Sequence, residues 1–326
     1  MAQVPNWGVF VANFHTPDDP TDALLSPYAR LMKIAITGSS GLIGTALIDQ
    51  IKSRGDTALR IVRSSPGPDD VLWDISAGEI DVEKLEGVDA VVHLAGEGIG
   101  EAKWSSEQKK KISESRTLGT ALLAEALAGL ETKPKVFVSG SAMGYYGDRG
   151  SEELTEQAEP GTGFLPDVVV AWEAAAQPAI DAGIRTAMIR TGLVLSAKGG
   201  ALKEQLPFFK AGIGGKIGDG SQYWSWISID DHIRAILHII DGDLSGPINL
   251  TAPNPVTNQE FTTALGKALG RPTFLPTPKF AVDLRLGKEA ADALLFWSAR
   301  VIPAALNDSG FEFHQPTIDE AFEAVL

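Results

Sequence analysis

The chain has 326 residues, 44% hydrophobic and 21% charged, an ordinary balance for a globular protein long enough to bury a large core. Its formal net charge of -14 argues against nucleic acid and other polyanions as partners, because polyanion binding leaves a basic footprint. There are no cysteines, which excludes disulfides, thiolate catalysis and Cys-type metal sites, and His15, His93, His232, His238 and His314 show no metal-ligand spacing.

Residues 1–31 carry Pro5, Pro17, Pro20 and Pro27 without a clear period and read as an N-terminal extension. Trp7, Phe10 and Phe14 are its candidates for docking on the main body, and a loose arm is the alternative. The segment lacks the basic n-region and apolar h-region of a signal peptide, and no apolar run approaches the ~20 residues of a membrane helix. A cytoplasmic protein without a membrane partner is the expectation.

From Lys33 the pattern is regular. KIAIT predicts a strand, then a glycine-rich turn, then a helix over LIGTALIDQIKSRG with Ile43, Leu47 and Ile51 on one face and Gly55 as its stop. ALRIVRS, DAVVHLAG, KVFVSGSA and RTAMIRTGLVL read as further strands, with helices over RTLGTALLAEALAGL and WEAAAQPAIDAG between them. Such alternation predicts parallel βαβ units in an open α/β sheet. Residues 197–222 are glycine-rich and loop-like, SWISIDDHIRAILHIID is a strand end entering a helix, and NQEFTTALGKALG is a helix capped by Thr257 or Asn258. The expected fold is a Rossmann-type doubly wound parallel sheet over 32–196, with 223–250 returning to it. Residues 197–222 and 251–326 then form a smaller C-terminal substrate lobe over the carboxyl edge of the sheet, where open α/β folds bind ligands.

The turn Thr37-Gly38-Ser39-Ser40-Gly41-Leu42-Ile43-Gly44 carries the chemistry. Gly38 permits the tight turn, Gly41 lets a diphosphate approach the backbone, and Gly44 lets the helix pack close to the strand. No Gly-Lys-Ser/Thr follows, which disfavours a P-loop NTPase. The second strand ends in Val62-Arg63-Ser64-Ser65, with a cation where NAD-binding folds often keep an acid, so Arg63 is expected to meet the 2′-phosphate of NADP(H). A solvated strand-end arginine is the alternative. Asp74 lies near the adenine or caps a turn.

The motifs TGSSGLIG, WD at 73–74, HLAGEGI, KW at 103–104, SESR at 113–116, SGSAMGYYGDRG, IRTGLVLSAKGGAL and GGKIGDGSQYWSWISIDD occur in one order. In that order the chain closely resembles the atypical, extended short-chain dehydrogenases/reductases of epimerase subgroup U, over about residues 32–326. The resemblance implies the extended short-chain dehydrogenase fold, NADP(H) binding and sugar-nucleotide-epimerase ancestry. It places the dinucleotide on Gly38, Ser39, Ser40, Gly41, Leu42, Ile43, Arg63, Asp74, the turn Leu94-Ala95-Gly96-Glu97 and the loop Thr191-Gly192-Leu193. It also puts Ser141 where the superfamily keeps a hydroxyl for the reacting carbonyl or alcohol.

The superfamily's usual acid/base pair is Tyr-x-x-x-Lys, in which the Lys lowers the phenol's pKa. If Glu173 is the acid that follows the Lys by one helical turn in extended members, Val169 and Leu165 occupy the Lys and Tyr positions. FLPDVVVAWE contains neither residue type, so the ordinary pair is absent. Tyr145 and Tyr146 are candidate phenols near the nicotinamide or packed aromatics, and Lys103 and Arg116 are candidates for an anionic substrate group. Gln222 and Trp224, in GDGSQYWSWIS, are candidates for stacking on a ring, with packing between lobes as the alternative. His93 reads as a core residue, Asp230 and Asp231 as helix caps, Glu173 as structural. Two functions fit: an NADP(H)-dependent oxidoreductase or epimerase-like enzyme for a small polar carbonyl, alcohol or nucleotide-sugar-like substrate, and a non-catalytic NADP(H) sensor. No metal is expected, and the oligomeric state is open between monomer and dimer.

Overall fold

Short runs of β-branched and aliphatic residues build the sheet. In chain order they are β1 (Lys33–Thr37), β2 (Thr57–Val62), β3 (Val71–Asp74), β4 (Glu79–Ile80), β5 (Ala90–His93), β6 (Val136–Ala142), β7 (Arg185–Thr191) and β8 (Gly246–Leu250). The strands lie in the order β8-β7-β6-β5-β1-β2-β3-β4. All neighbours are parallel except the edge pair β3–β4. The computed structural model describes residues 31–326, of which 32–326 form one compact unit. The expectations for the N-terminal extension, with Trp7, Phe10 and Phe14, lie outside the described residues.

The principal helices are α1 (Leu42–Ser53), α2 (Ser106–Gly129), α3 (Phe164–Ala174), α4 (Gln177–Asp181), α5 (Gly200–Lys210), α6 (Ile229–Asp241) and α7 (Asn258–Leu269). Side chains on a strand alternate between faces, so β1 sends Ile34 and Ile36 to one side and Ala35 to the other. The first side packs on α1 and α6 through Leu47, Ile51, Ile233, Ile236 and Ile240. The second packs on α2 through Leu123 and Leu127, beside Trp73 and Phe137. Each such side chain stabilises the fold by ~1.5–3 kcal/mol when fully buried. A third cluster forms the lobe, joining Leu202, Leu206, Phe209, Trp224, Phe261 and Phe322.

Several elements differ from the sequence expectation. Helix α2 begins at Ser106, because Ser105 accepts the Gln108 N–H and Glu107–Lys111 and Lys110–Glu114 pairs support a polar first turn that has no apolar stripe. Helix α3 begins at Phe164, and its Pro166 sits in the first turn, where a missing N–H costs nothing. The run 185–195 breaks at Gly192, and Leu193–Leu195 leaves the sheet to pair with Trp226–Ser228. Ser228, not Asp230 or Asp231, caps α6 by accepting the Asp231 N–H, while the Asp231 carboxylate accepts from the His314 and Gln315 N–H groups and from Arg234. Thr257 caps α7 with a capping box to Glu260. No helix among the described residues is long and apolar enough to cross a membrane.

Candidate functional site

Strand order reverses at β1, which lies between β2 and β5. That split opens a crevice at the carboxyl ends of the strands, and the glycine loop fills its mouth. Gly38 has φ +66°, and a Cβ there would lie 2.9 Å from the Leu94 carbonyl carbon. A Cβ on Gly44 would lie 2.2 Å from the Gly38 carbonyl oxygen, so α1 can approach β1 only as glycine. A Cβ on Gly41 would meet only that same oxygen, at 3.3 Å, and is otherwise open. Gly41 is the N-cap of α1 with no side-chain cap, and the first turn holds no acid. The first N–H groups and the positive dipole end are therefore free for an anion, as a dinucleotide diphosphate requires.

Arg63 directly follows the carboxyl end of β2, whose Ile61 pairs with Thr37, the last strand residue before this loop. Its side chain is exposed and has no hydrogen bond or ion pair among the described residues, whereas neighbouring Arg60 is bound to Asp70. Arg63 is thus a free cation at the edge of the crevice, which fits a phosphate on the adenosine ribose.

The floor of the crevice is held by a buried hydroxyl. Thr37 Oγ1 accepts the Leu94 and Ala95 N–H groups at 3.0 and 3.1 Å, so its proton goes to His93 Nδ1 at 2.7 Å. The neutral His93 then carries its proton on Nε2, which has no partner among the described residues and lies among Trp73 and Phe137. Burial, helped by Arg116, pushes the His93 pKa down to about 4. His93 is a core residue, as its apolar strand suggested, and it ties the glycine loop to the 94–97 turn.

A cavity of about 390 Å³ joins Gly38, Gly41, Leu42, Ile43 and Leu94 to Ser141 and to Thr191, Gly192 and Leu193. Trp172, Gly140 and Ile189 complete its inner wall. Ser141 Oγ donates to Glu173 Oε1 at 2.6 Å. Glu173 is gripped by Arg190 through both carboxylate oxygens, at 2.8 and 2.9 Å. Arg190 Nη1 also donates to the Tyr146 hydroxyl at 3.1 Å, and the guanidinium lies 3.5 Å from the Tyr145 ring centroid. Burial works against the Arg190 charge, but Glu173 and Tyr146 hold its pKa above the ordinary arginine value. Ser141 therefore has one proton, committed to Glu173, and lone pairs left for the cavity.

The two tyrosines separate. Tyr146 is fully buried, and its hydroxyl donates to Asn249 Oδ1 at 2.6 Å while accepting from Arg190. Burial pushes its phenol up, so Tyr146 serves the core and is corrected from catalytic candidate to structural residue. Tyr145 is half-buried and its hydroxyl has no partner among the described residues. Leu165 and Val169 are buried and pack toward Gly144, 3.5 and 3.9 Å from its Cβ position, so neither phenol nor ammonium stands there.

Gln222 and Trp224 require correction. Gln222 Nε2 donates to the Ile217 and Leu295 carbonyls, and Trp224 stacks edge-on with Phe261 at 5.0 Å, so both belong to the lobe core. Asp74 takes its turn-capping alternative, accepting the Ser76 and Ala77 N–H groups. Ser39 and Ser40 sit at the rim of the loop. Glu97 accepts from Gln108 at 3.2 Å, and its N–H donates to Ser115. Ala95 and Gly96 continue the same turn, with Arg116 against Gly96. Lys103 is exposed, its stem near Gly287. Arg190 and Trp172 escaped the sequence reading. Arg190, set among the apolar residues in the second half of the strand RTAMIRT, was the available signal, because a buried guanidinium demands a carboxylate.

The NAD dependent epimerase/dehydratase family model matches residues 34–250, and that of a domain of unknown function matches 277–325. An epimerase family protein from Mycobacterium leprae is 44% identical over 295 residues, covering 90% of this chain and 95% of that protein. A crystal structure of the human epimerase family protein SDR39U1 (isoform 2) with NADPH has a TM-score of 0.83 at 32% identity, covering 90% of this chain and 99% of that one. A structure described as the nucleoside-diphosphate sugar epimerase from Corynebacterium glutamicum has a TM-score of 0.73 at 40% identity, covering 91% of this chain and 58% of that one. With its NAD(P)-binding fold, this chain belongs to the NAD dependent epimerase/dehydratase family, in the epimerase subgroup that holds the human protein.

Proposed function

We propose that the protein is an NADP(H)-dependent oxidoreductase or epimerase-like enzyme acting on a small polar carbonyl, alcohol or nucleotide-sugar-like substrate. One observation carries the reading: a single cavity joins the glycine loop to a serine whose proton is held by a fixed carboxylate. The human relative's NADPH supports the choice of cofactor, as does the unpaired Arg63. The bound nicotinamide supplies hydride transfer. The Gly38–Ile43 loop and the N-terminus of α1 hold the diphosphate, Arg63 takes the 2′-phosphate, and the 94–97 and 191–193 turns line the rest.

Ser141 meets a substrate hydroxyl as an acceptor, because its own proton points to Glu173. As the substrate proton moves to Ser141 Oγ, the serine proton moves to Glu173, which Arg190 keeps in place. Tyr145, with its free hydroxyl, is the second proton carrier of the site. Lys103 and Arg116 are its cations for an anionic substrate.

One observation favours a second reading, a non-catalytic NADP(H) sensor: the positions of the usual acid/base pair are filled by buried Leu165 and Val169. A turnover test separates the two. Stoichiometric NADPH is mixed with a panel of carbonyls and sugar nucleotides, and loss of reduced-nicotinamide absorbance is followed. Oxidation with any panel member is the expected result. Tight NADPH binding with no oxidation across the panel would move the assignment to the sensor.

A further inference from the structure

The cavity holds a second hydroxyl, and behind it stands a buried histidine outside the Ser141 network. Among the described residues that line the cavity, Ser141, Thr191 and Trp172 carry polar side-chain atoms. Trp172 Nε1 donates to Thr120, and the Ser141 proton goes to Glu173. Thr191 ends β7, one residue beyond Arg190, which pairs with Ser141, so the two hydroxyl residues stand at the carboxyl ends of neighbouring strands. Thr191 Oγ1 lies 3.1 Å from His232 Nε2 and 3.4 Å from the Ile189 carbonyl oxygen. His232, in the first turn of α6, is fully buried, and its Nδ1 has no partner among the described residues. Burial pushes its pKa down to about 3, so the imidazole is neutral and carries one N–H.

Which nitrogen carries that N–H decides what Thr191 offers the cavity. On Nδ1 it would be a buried donor without an acceptor, which is costly and rare. On Nε2 it donates to Thr191 Oγ1, the threonine gives its own proton to the Ile189 carbonyl, and Nδ1 keeps only a lone pair. No donor is stranded in this second arrangement. Thr191 then has no proton to give. One of its two lone pairs is taken by His232, and the other remains for the cavity. With a dinucleotide diphosphate on the glycine loop, the nicotinamide lies at the Ser141 and Thr191 end. Its carboxamide carries an amino group, which donates, and a carbonyl, which accepts. An oxygen that offers only a lone pair takes the amino group and rejects the carbonyl.

We propose that His232 is a positioning residue: it holds the Thr191 hydroxyl as an acceptor for the carboxamide amino group of the bound nicotinamide, and so sets which way the ring lies. This rests on the NADP(H) reading of the cavity. The full chain is titrated calorimetrically with NADP⁺, with its 3-acetylpyridine analogue, in which a methyl replaces the amino group, and with 2′-phospho-ADP-ribose, which lacks the nicotinamide. NADP⁺ should bind roughly five- to a hundredfold tighter than the analogue, which leaves the buried acceptor unpaired. Thr191→Val and His232→Leu should each shrink that difference to about twofold or less, and His232→Gln, which keeps an N–H donor, should restore most of it. Affinity for 2′-phospho-ADP-ribose should stay within a few fold throughout. NADP⁺ no tighter than the analogue in the unsubstituted protein would overturn the proposal, and this comparison does not depend on how any variant folds. A full difference retained by His232→Leu, or 2′-phospho-ADP-ribose affinity falling with it as far as NADP⁺ affinity does, would also overturn it. Failure of the unsubstituted protein to bind either NADP⁺ or 2′-phospho-ADP-ribose would overturn it together with the cofactor reading, whereas binding of both without preference over the analogue would overturn it alone.

Discussion

Glu173→Gln isolates the charge that organises the site. The substitution keeps the side chain's size and one carbonyl acceptor but removes the negative charge facing Arg190. Glu173 and Arg190 side chains are only 12% and 3% exposed, so solvent screens little of the interaction. Breaking a buried pair from one side costs about 3–5 kcal/mol, because the remaining ion stays desolvated. The retained acceptor, the Tyr146 hydroxyl and the Glu156 carbonyl soften this loss, so the lower figure, about 3 kcal/mol, is expected. In a domain of this size that corresponds to roughly 5–10 °C in Tm. Urea unfolding followed by circular dichroism at neutral pH measures it, with calorimetry as a second probe. Arg190→Gln and the double variant complete a thermodynamic cycle, and the coupling should exceed about 1 kcal/mol. A loss below about 1 kcal/mol for Glu173→Gln, or additive single effects, would show that the pair is not the buried, mutually dependent unit described above.

Arg63→Ala should weaken NADPH by roughly tenfold or more while leaving NADH nearly unchanged, since a charge-assisted contact to the 2′-phosphate is lost; equal losses in fluorescence titrations would refute that role. Gly41→Ala and Gly44→Ala should part company. The first places its methyl in open crevice and should weaken NADPH with little effect on Tm, whereas the second drives a methyl to within 2.2 Å of the Gly38 oxygen and should cost both stability and binding. Matching effects of the two on Tm would contradict the packing described. His93 has a folded pKa of about 4 against an ordinary 6.5. Between those values the unfolded chain binds a proton that the folded chain refuses, so its contribution is complete above about pH 6.5 and is lost toward pH 4. The loss amounts to roughly 3 kcal/mol over that window. His93→Asn, which keeps an acceptor for Thr37, should flatten this part of the stability profile, and an unchanged slope would sink the argument.

The glycine loop was legible because its chemistry is backbone chemistry: glycine is required at set spacings whatever the surroundings. Leu165 and Val169 were legible for the same reason, as missing side-chain types at a counted spacing. Less was legible where neighbours in sequence face different environments. Tyr145 and Tyr146 are adjacent, yet the short 3₁₀ turn Met143–Tyr146 sends one ring into the core and leaves the other hydroxyl free. Gln222 and Trp224 stay open in sequence between stacking on a ring and packing between lobes; their two-residue spacing puts them on one face of an extended segment, and that face packs into the lobe. Glu173 and Arg190 belong to a helix and a strand whose meeting depends on the sheet, so no local pattern announces them. The edge strands β3 and β4 are too short for periodicity to register.

Cofactor binding and proton chemistry draw on different parts of this molecule, which is why one could be kept while the other was rebuilt. The cradle depends on Gly38, Gly41, Gly44 and the Thr37–His93 tie, all on one side of the crevice. The usual phenol and ammonium would project from α3, and there Leu165 and Val169 seal the helix against Gly144 instead. Charge has not left the region. Glu173, one turn along α3 from Val169, and Arg190 on β7 hold it there. The two neutralise each other and fix Ser141, so they need no ligand to be stable.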